Sequence, residues 1–186
     1  MKTLIPILAL ASLFAIMPAQ AQKFLSKNGH IWFYSHTPME DIEAHNNEVA
    51  SYIDTKTGDV VFQLLVKSFK FKRALMEEHF NENYMQSEKF PKSDFKAKIA
   101  NLSEVNFEKK GVYKTTVEGA MTIHGVTRTV KTQGTIEVTG ANTLKVRTTF
   151  EVVPQDYGIE IPATVREKFA NSMTVNVDAT YDPYKK

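Results

Sequence analysis

Polar and apolar side chains alternate along most of the chain with a period of two, the pattern of a β-strand, whose successive side chains point to opposite faces. The clearest run is residues 113–123. Tyr113, Thr115, Val117, Gly119, Met121 and Ile123 share one face, while Lys114, Thr116, Glu118, Ala120 and Thr122 share the other. The chain turns at Gly125, and Val126, Val130, Ile136 and Val138 then alternate against Thr127, Thr129, Lys131, Gln133 and Glu137. Beyond Gly140-Ala141-Asn142 the scheme returns twice, in residues 144–152 and 173–181. Upstream, residues 31–35, 48–53, 60–71 and 94–102 read as strands, with Thr55-Lys56-Thr57-Gly58-Asp59 as a turn. Short turns between long alternating runs predict antiparallel hairpins. Eight such strands remove their edges by closing into a barrel or splitting into a sandwich. The long strands in simple up-and-down order favour the barrel.

Two segments break the strand period. Residues 73–84 place Met76, Phe80 and Tyr84 at i, i+4 and i+8, a helical stripe, with Glu77, Glu78 and Glu82 toward water. Residues 162–171 open with Pro162 and carry Val165 and Phe169 four apart. Both are too short to hold as isolated helices and must pack on the sheet. A helix across a barrel end is a plug or lid.

The first residues have a different character. Lys2 precedes the apolar run 4–17, Pro18 breaks it, and Ala19-Gln20-Ala21 puts small residues where a signal peptidase reads. A run of this length is short of the ~20 residues a spanning helix needs. Residues 1–21 are therefore expected to be a signal peptide and residues 22–186 a single domain in the periplasm or secreted, without a lipid anchor, because position 22 is Gln. The chain holds no cysteine, so disulfide scaffolds, cysteine zinc sites and thiol nucleophiles are excluded. A net charge of +2 lacks the basic excess of a nucleic-acid binder. Twelve Phe, seven Tyr and one Trp exclude a disordered chain.

Three stretches resemble the YceI-like family of exported lipid-binding proteins. They are Lys89-Phe90-Pro91 followed by Phe95-Lys96, the hairpin Met121-Thr122-Ile123-His124-Gly125-Val126-Thr127-Arg128, and Asp156-Tyr157-Gly158-Ile159. The hairpin is the most specific, and the spacing of all three extends the resemblance over residues 22–186. The resemblance implies an eight-stranded, lipocalin-like antiparallel β-barrel with short helices at or beside its end. Its apolar pore would hold an isoprenoid lipid, such as an isoprenoid quinone or a prenyl phosphate. The chain departs from the family where the helix begins, since only His79-Phe80 is similar to the Arg-Asp and His-Leu signature many members carry there.

Alternation nominates the pore lining: Phe62, Leu64, Val66, Phe95, Ala97, Ile99, Val117, Gly119, Met121, Val130, Ile136, Val146, Phe150, Val175 and Val177. Small residues on these faces, Ala97, Thr115, Gly119, Thr132, Gly134, Thr148 and Ala179, alternate with large ones, which fits either a narrow channel or a packed core. Met76, His79, Phe80 and Tyr84 are the candidate lid. A prenyl chain burying about 500 Å² would gain about 12 kcal/mol before ordering costs, so apolar contact alone suffices to retain it.

On the even face of residues 60–71 the apolar side chains give way to Lys70 and Lys72. Together with Arg128 these are candidate head-group contacts, the other reading being a solvated strand end. His30, His36, His45, His79 and His124 show no metal-binding spacing, and His124 is placed to bond backbone beside its turn. No nucleophile elbow or phosphate loop occurs, so the reading is a non-enzymatic binding protein without metal or cofactor. It would serve lipid transport, storage or stress protection. The alternative is a structural or stress-induced interaction protein with a solidly packed barrel and no lipid ligand. A transmembrane barrel is disfavoured, because it needs aromatic girdles that the chain lacks. The expected partners are an isoprenoid lipid or quinone, a membrane surface touched transiently and a second copy of the chain, and nucleic acid is not among them.

Overall fold

The computed structural model describes residues 23–140 and 143–184. The expected signal peptide, residues 1–21, lies outside the described residues, as do Ala141 and Asn142 of the expected turn. Among the described residues nine strands form one antiparallel sheet: β1 (Lys23–His36), β2 (Asp41–Asp54), β3 (Asp59–Leu65), β4 (Lys70–Phe71), β5 (Lys92–Ile99), β6 (Gly111–Ile123), β7 (Val126–Gly140), β8 (Thr143–Val152) and β9 (Met173–Pro183). β9 pairs with β1, and β1 with β2, so the sheet closes on itself. The two-residue β4 runs along the same edge of β2 as β3 does, which leaves eight strands around the ring. Closure removes the free sheet edges. This is the expected eight-stranded antiparallel barrel.

β1 and β2 are far longer than alternation predicts, because each changes face midway. In β1 the buried positions Phe24 and Ser26 give way to Gly29 and Ser35, across register shifts between Ser26 and Ile31. In β2 they change from Ile42, Ala44 and Asn46 to Val49, Ser51 and Ile53. A one-residue slip sends every later side chain to the opposite face. Asn46 holds the irregularity from inside. Its Oδ1 accepts the Glu48 N–H at 2.9 Å and its Nδ2 donates to the Leu65 carbonyl at 3.0 Å.

Residues 60–71, expected as one strand, are interrupted by a 3-10 turn at Val66–Ser68. The connection from β3 to β5 carries β4 and the helix α1 (Ala74–His79), which runs into a π-type turn at Phe80–Tyr84. The connection from β8 to β9 carries 3-10 turns at Pro154–Tyr157 and Ala163–Lys168. The helix expected over residues 162–171 is thus a 3-10 segment. Its end lacks a side-chain cap, and such a short uncapped stretch settles for the tighter turn.

The interior divides in two. At the end where β1, β8 and the last residues of β9 meet, Phe24, Ile53, Val60, Ile99, Ile136, Val138, Leu144, Ala179 and Tyr181 form a closed core. The Tyr181 hydroxyl, fully buried, bonds Ser51 Oγ at 2.5 Å, and burial pushes its phenol well above the usual range. At the other end the long connections arch over a cavity. The barrel is solid at one end and hollow at the other.

Candidate functional site

The hollow end forms a cavity of about 490 Å³ that opens at its rim. Its walls come from the strand ends nearest the long connections: Ile31 and Phe33 of β1, Ile42 of β2, Phe62 and Leu64 of β3, Phe95 of β5, Met121 and Ile123 of β6, Phe150 and Val152 of β8, Met173 and Val175 of β9. Apolar side chains make up nearly all of this surface. Water gains little there and an apolar ligand gains its burial energy.

The roof has two parts. Residues 74–84 present Met76, His79, Phe80 and Tyr84 to the cavity. The π-type turn is closed by the Met85 N–H donating to the Phe80 carbonyl at 2.8 Å. Phe80 is the anchor: its ring centroid lies 5.0 Å from that of Phe71 and 5.6 Å from those of Phe33 and Phe69. The second part is the 3-10 segment, whose Val165, Lys168 and Phe169 also line the cavity. Tyr84 and Phe169 join the two parts, with ring centroids 5.3 Å apart.

Glu40, Arg73 and Lys168 carry charge at the rim. Glu40, in the β1–β2 turn, forms an ion pair with Arg73 at the start of α1 and lies 3.9 Å from Lys168 in the 3-10 segment. One carboxylate therefore connects a hairpin and both parts of the roof. Burial, with Glu40 nearby, pushes the Tyr84 phenol above its usual range. Asp94, also on the wall, lies 3.4 Å from Lys96.

The sequence-nominated residues fall into separate places. Phe62, Leu64, Phe95, Met121, Phe150 and Val175 line the cavity. Val66 is fully buried in the packed layer around it, against which Ala97, Val117 and Val130 also pack. Ile99 and Ile136 belong to the solid core, with Val117 and Val146 against it, and Val177 is buried outside the cavity wall. Gly119 is a point of close strand approach: a Cβ there would sit 2.2 Å from the Lys96 carbonyl oxygen and 2.3 Å from the Ala97 Cα. Gly134 is similar, with the Arg147 carbonyl oxygen at 2.7 Å. These small residues draw neighbouring strands together and do not widen a pore.

Lys70 stands on the outer face and off the cavity wall, the position of a solvated strand end and not of a head-group contact. The turn at Val66–Ser68 changes parity, so Phe69 and Phe71 enter the cavity wall while Lys70 opposes the outward His45. Lys70 instead donates to Glu77 at 2.7 Å, and that bond holds the Glu77 carboxyl below its ordinary range. Lys72 is exposed and off the wall. Arg128 donates from Nε to the Asp156 carbonyl at 2.9 Å. The rim cations are Arg73 and Lys168, which alternation has no means of nominating because both sit in irregular connections.

The histidines do not converge. His30 and His45 bond each other at 2.9 Å on the outer face, beside Trp32. His36 bonds Asp41 at 2.5 Å, and His124 bonds the Tyr157 carbonyl. Among the described residues no three His, Asp or Glu side chains are grouped to hold a metal ion. The ring's outer face carries ion pairs, such as Arg147 with Asp178 at 2.8 Å and Lys131 with Glu118 at 3.6 Å, the reverse of a barrel facing lipid. Among the described residues no helix is long and apolar enough to cross a membrane.

Solved structures share this architecture. A polyisoprenoid-binding domain from Saccharophagus degradans, implicated in plant cell wall breakdown, is 13% identical and superposes with a TM-score of 0.75 over 88% of this chain and 99% of its own. BcnA of Burkholderia cenocepacia is 14% identical, with a TM-score of 0.68 over 82% of this chain and 95% of its own. The YceI protein of Campylobacter jejuni is 12% identical, with a TM-score of 0.59 over 81% and 90%. No curated protein matches the sequence. The family model of the YceI-like domain matches residues 23–181, so the chain belongs to the YceI-like family.

Proposed function

We propose that the protein binds an isoprenoid lipid, such as a quinone or prenyl phosphate, in the hollow end of its barrel and works as a carrier or store rather than as a catalyst. The observation that carries this reading is the apolar cavity itself, walled by Phe62, Phe95, Met121 and Phe150 and roofed by a segment that packs through aromatic contacts. Membership of the YceI-like family and the likeness to a polyisoprenoid-binding domain support it. The prenyl chain lies in the cavity and the polar head at the rim, near Arg73 and Lys168. The signal-like residues 1–21 support export to the periplasm or beyond, where the protein meets its ligand at a membrane surface.

A packed structural barrel without ligand is the competing reading, and the solid half of the interior is what favours it. Lipid extraction and mass spectrometry of protein purified from its native host separates the two. A stoichiometric isoprenoid lipid is expected. Protein that carries none, and takes up no added quinone, would overturn the binding reading.

A further inference from the structure

We propose that this barrel measures chain length and accepts about four isoprene units. The proposal rests on the lipid-binding reading above and adds where the cavity ends and what ends it. Phe62 lies at the cavity wall and also packs against the solid core, so it forms the boundary between the two. Val117 packs against both clusters and stands behind it. Next to them β5 and β6 approach so closely that Gly119, opposite Ala97, has no room for a Cβ. Below that level Ile53, Val60 and Ile99 are almost fully buried in the closed core, and none of them lines the cavity.

The volume sets the length. An apolar cavity of about 150 Å³ holds one benzene, or about 25 Å³ per carbon. The 490 Å³ available here thus takes about 20 carbons, or about four isoprene units, at that density. Carbons beyond the rim stay in water and contribute no burial energy. Affinity must therefore climb with chain length only until the cavity is full.

The test is a titration series with geraniol, farnesol, geranylgeraniol and an octaprenol, delivered from cyclodextrin and followed by calorimetry and native mass spectrometry. Affinity is expected to rise about tenfold or more per isoprene unit up to geranylgeraniol and to change less than about threefold from there to the octaprenol. Removing the boundary ring, Phe62→Ala, is expected to move the plateau up by about one unit, since it frees about that many carbons. Filling the wall, Val175→Phe, is expected to move it down by about one. The two shifts are opposite in sign, so loss of fold in one variant leaves the other to decide, with thermal melts reporting which is folded. Affinity that keeps rising to the octaprenol, or a plateau that neither folded variant moves, would overturn the ruler while leaving lipid binding standing. Failure of every prenol to bind would overturn both.

Discussion

The imidazole Nδ1 of His124 lies 3.2 Å from the carbonyl oxygen of Tyr157 and, facing an acceptor, carries the hydrogen. That bond fastens the β6–β7 hairpin to the turn after β8. Arg128 adds a second fastening, to the carbonyl of Asp156. Phe90 packs edge-on against His124, with ring centroids 4.5 Å apart. The three stretches that mark the family in the sequence thus meet at one corner of the hollow end. Ile123, Pro154 and Ile159 of the cavity wall flank this corner.

The corner makes Gly125 demanding. His124 and Gly125 both have positive φ, 52° and 75°, the two-residue hairpin geometry that suits the right-handed twist of its strands. A Cβ at position 125 would stand 2.5 Å from the Phe90 ring. Gly125→Ala is expected to cost about 1–3 kcal/mol, lowering Tm by about 2–12 °C. Thermal melts of Gly125→Ala, Phe90→Ala and the double variant check the cause. If the clash with Phe90 matters, the double variant is less destabilised than the two singles together. Strict additivity would refute the steric account.

How far the sequence reveals this molecule depends on where its alternation stays in phase. β6 and β7 pair without a break from Gly111 to Ile123, and their faces are legible residue by residue. β1 and β2 each lose phase at an irregularity, so only fragments of them stand out. The same effect hides the site. Phe69 and Phe71 look like spacers between lysines, yet the 3-10 turn before them carries both into the cavity. Small residues mislead for another reason: composition cannot separate a glycine that opens space from one, like Gly119, that lets two strands touch. The helical stripe Met76, Phe80 and Tyr84 is legible even though a π-type turn spans its last two members, because all three still reach the cavity.

The roof is expected to depend on Phe80. Its ring meets those of Phe33, Phe69 and Phe71, but it is only half buried. Phe80→Ala should therefore cost about 1–3 kcal/mol, less than the 3–5 of a fully enclosed phenylalanine. Hydrogen exchange should accelerate in residues 74–84 and leave the Tyr181 end unchanged. Equal acceleration at both ends would show that the roof is not a separate unit.

Glu40 bridges the two parts of the roof. Glu40→Gln leaves Arg73 and Lys168 facing each other without their shared anion. Exposed pairs of this kind contribute about 0.2–1 kcal/mol each, so Tm should hardly move. Ligand loss should quicken about two- to fivefold, and the difference from wild type should shrink in high salt. Stopped-flow release of a bound prenol measures it. A release rate unchanged at low salt would show that the bridge does not hold the roof.

Acid is expected to loosen the roof through Glu77. Its carboxylate accepts the Lys70 ammonium at 2.7 Å and the Phe71 N–H at 3.3 Å, tying α1 to β4. The lysine bond is the main reason the carboxyl lies below its ordinary 4.5, partial burial working the other way. A group whose folded value is depressed stabilises the fold when ionised. The contribution is complete above the ordinary value and is lost as pH falls through the lowered one. Neutral and mildly acidic conditions should leave the roof docked. Below 4.5 the Phe71 amide should lose its acceptor, and its proton resonance should shift upfield in an NMR titration with a midpoint under 4.5. In Glu77→Gln this transition should vanish while those of other carboxylates remain. A midpoint at or above the ordinary value would mean that the Lys70 bond is not formed in solution.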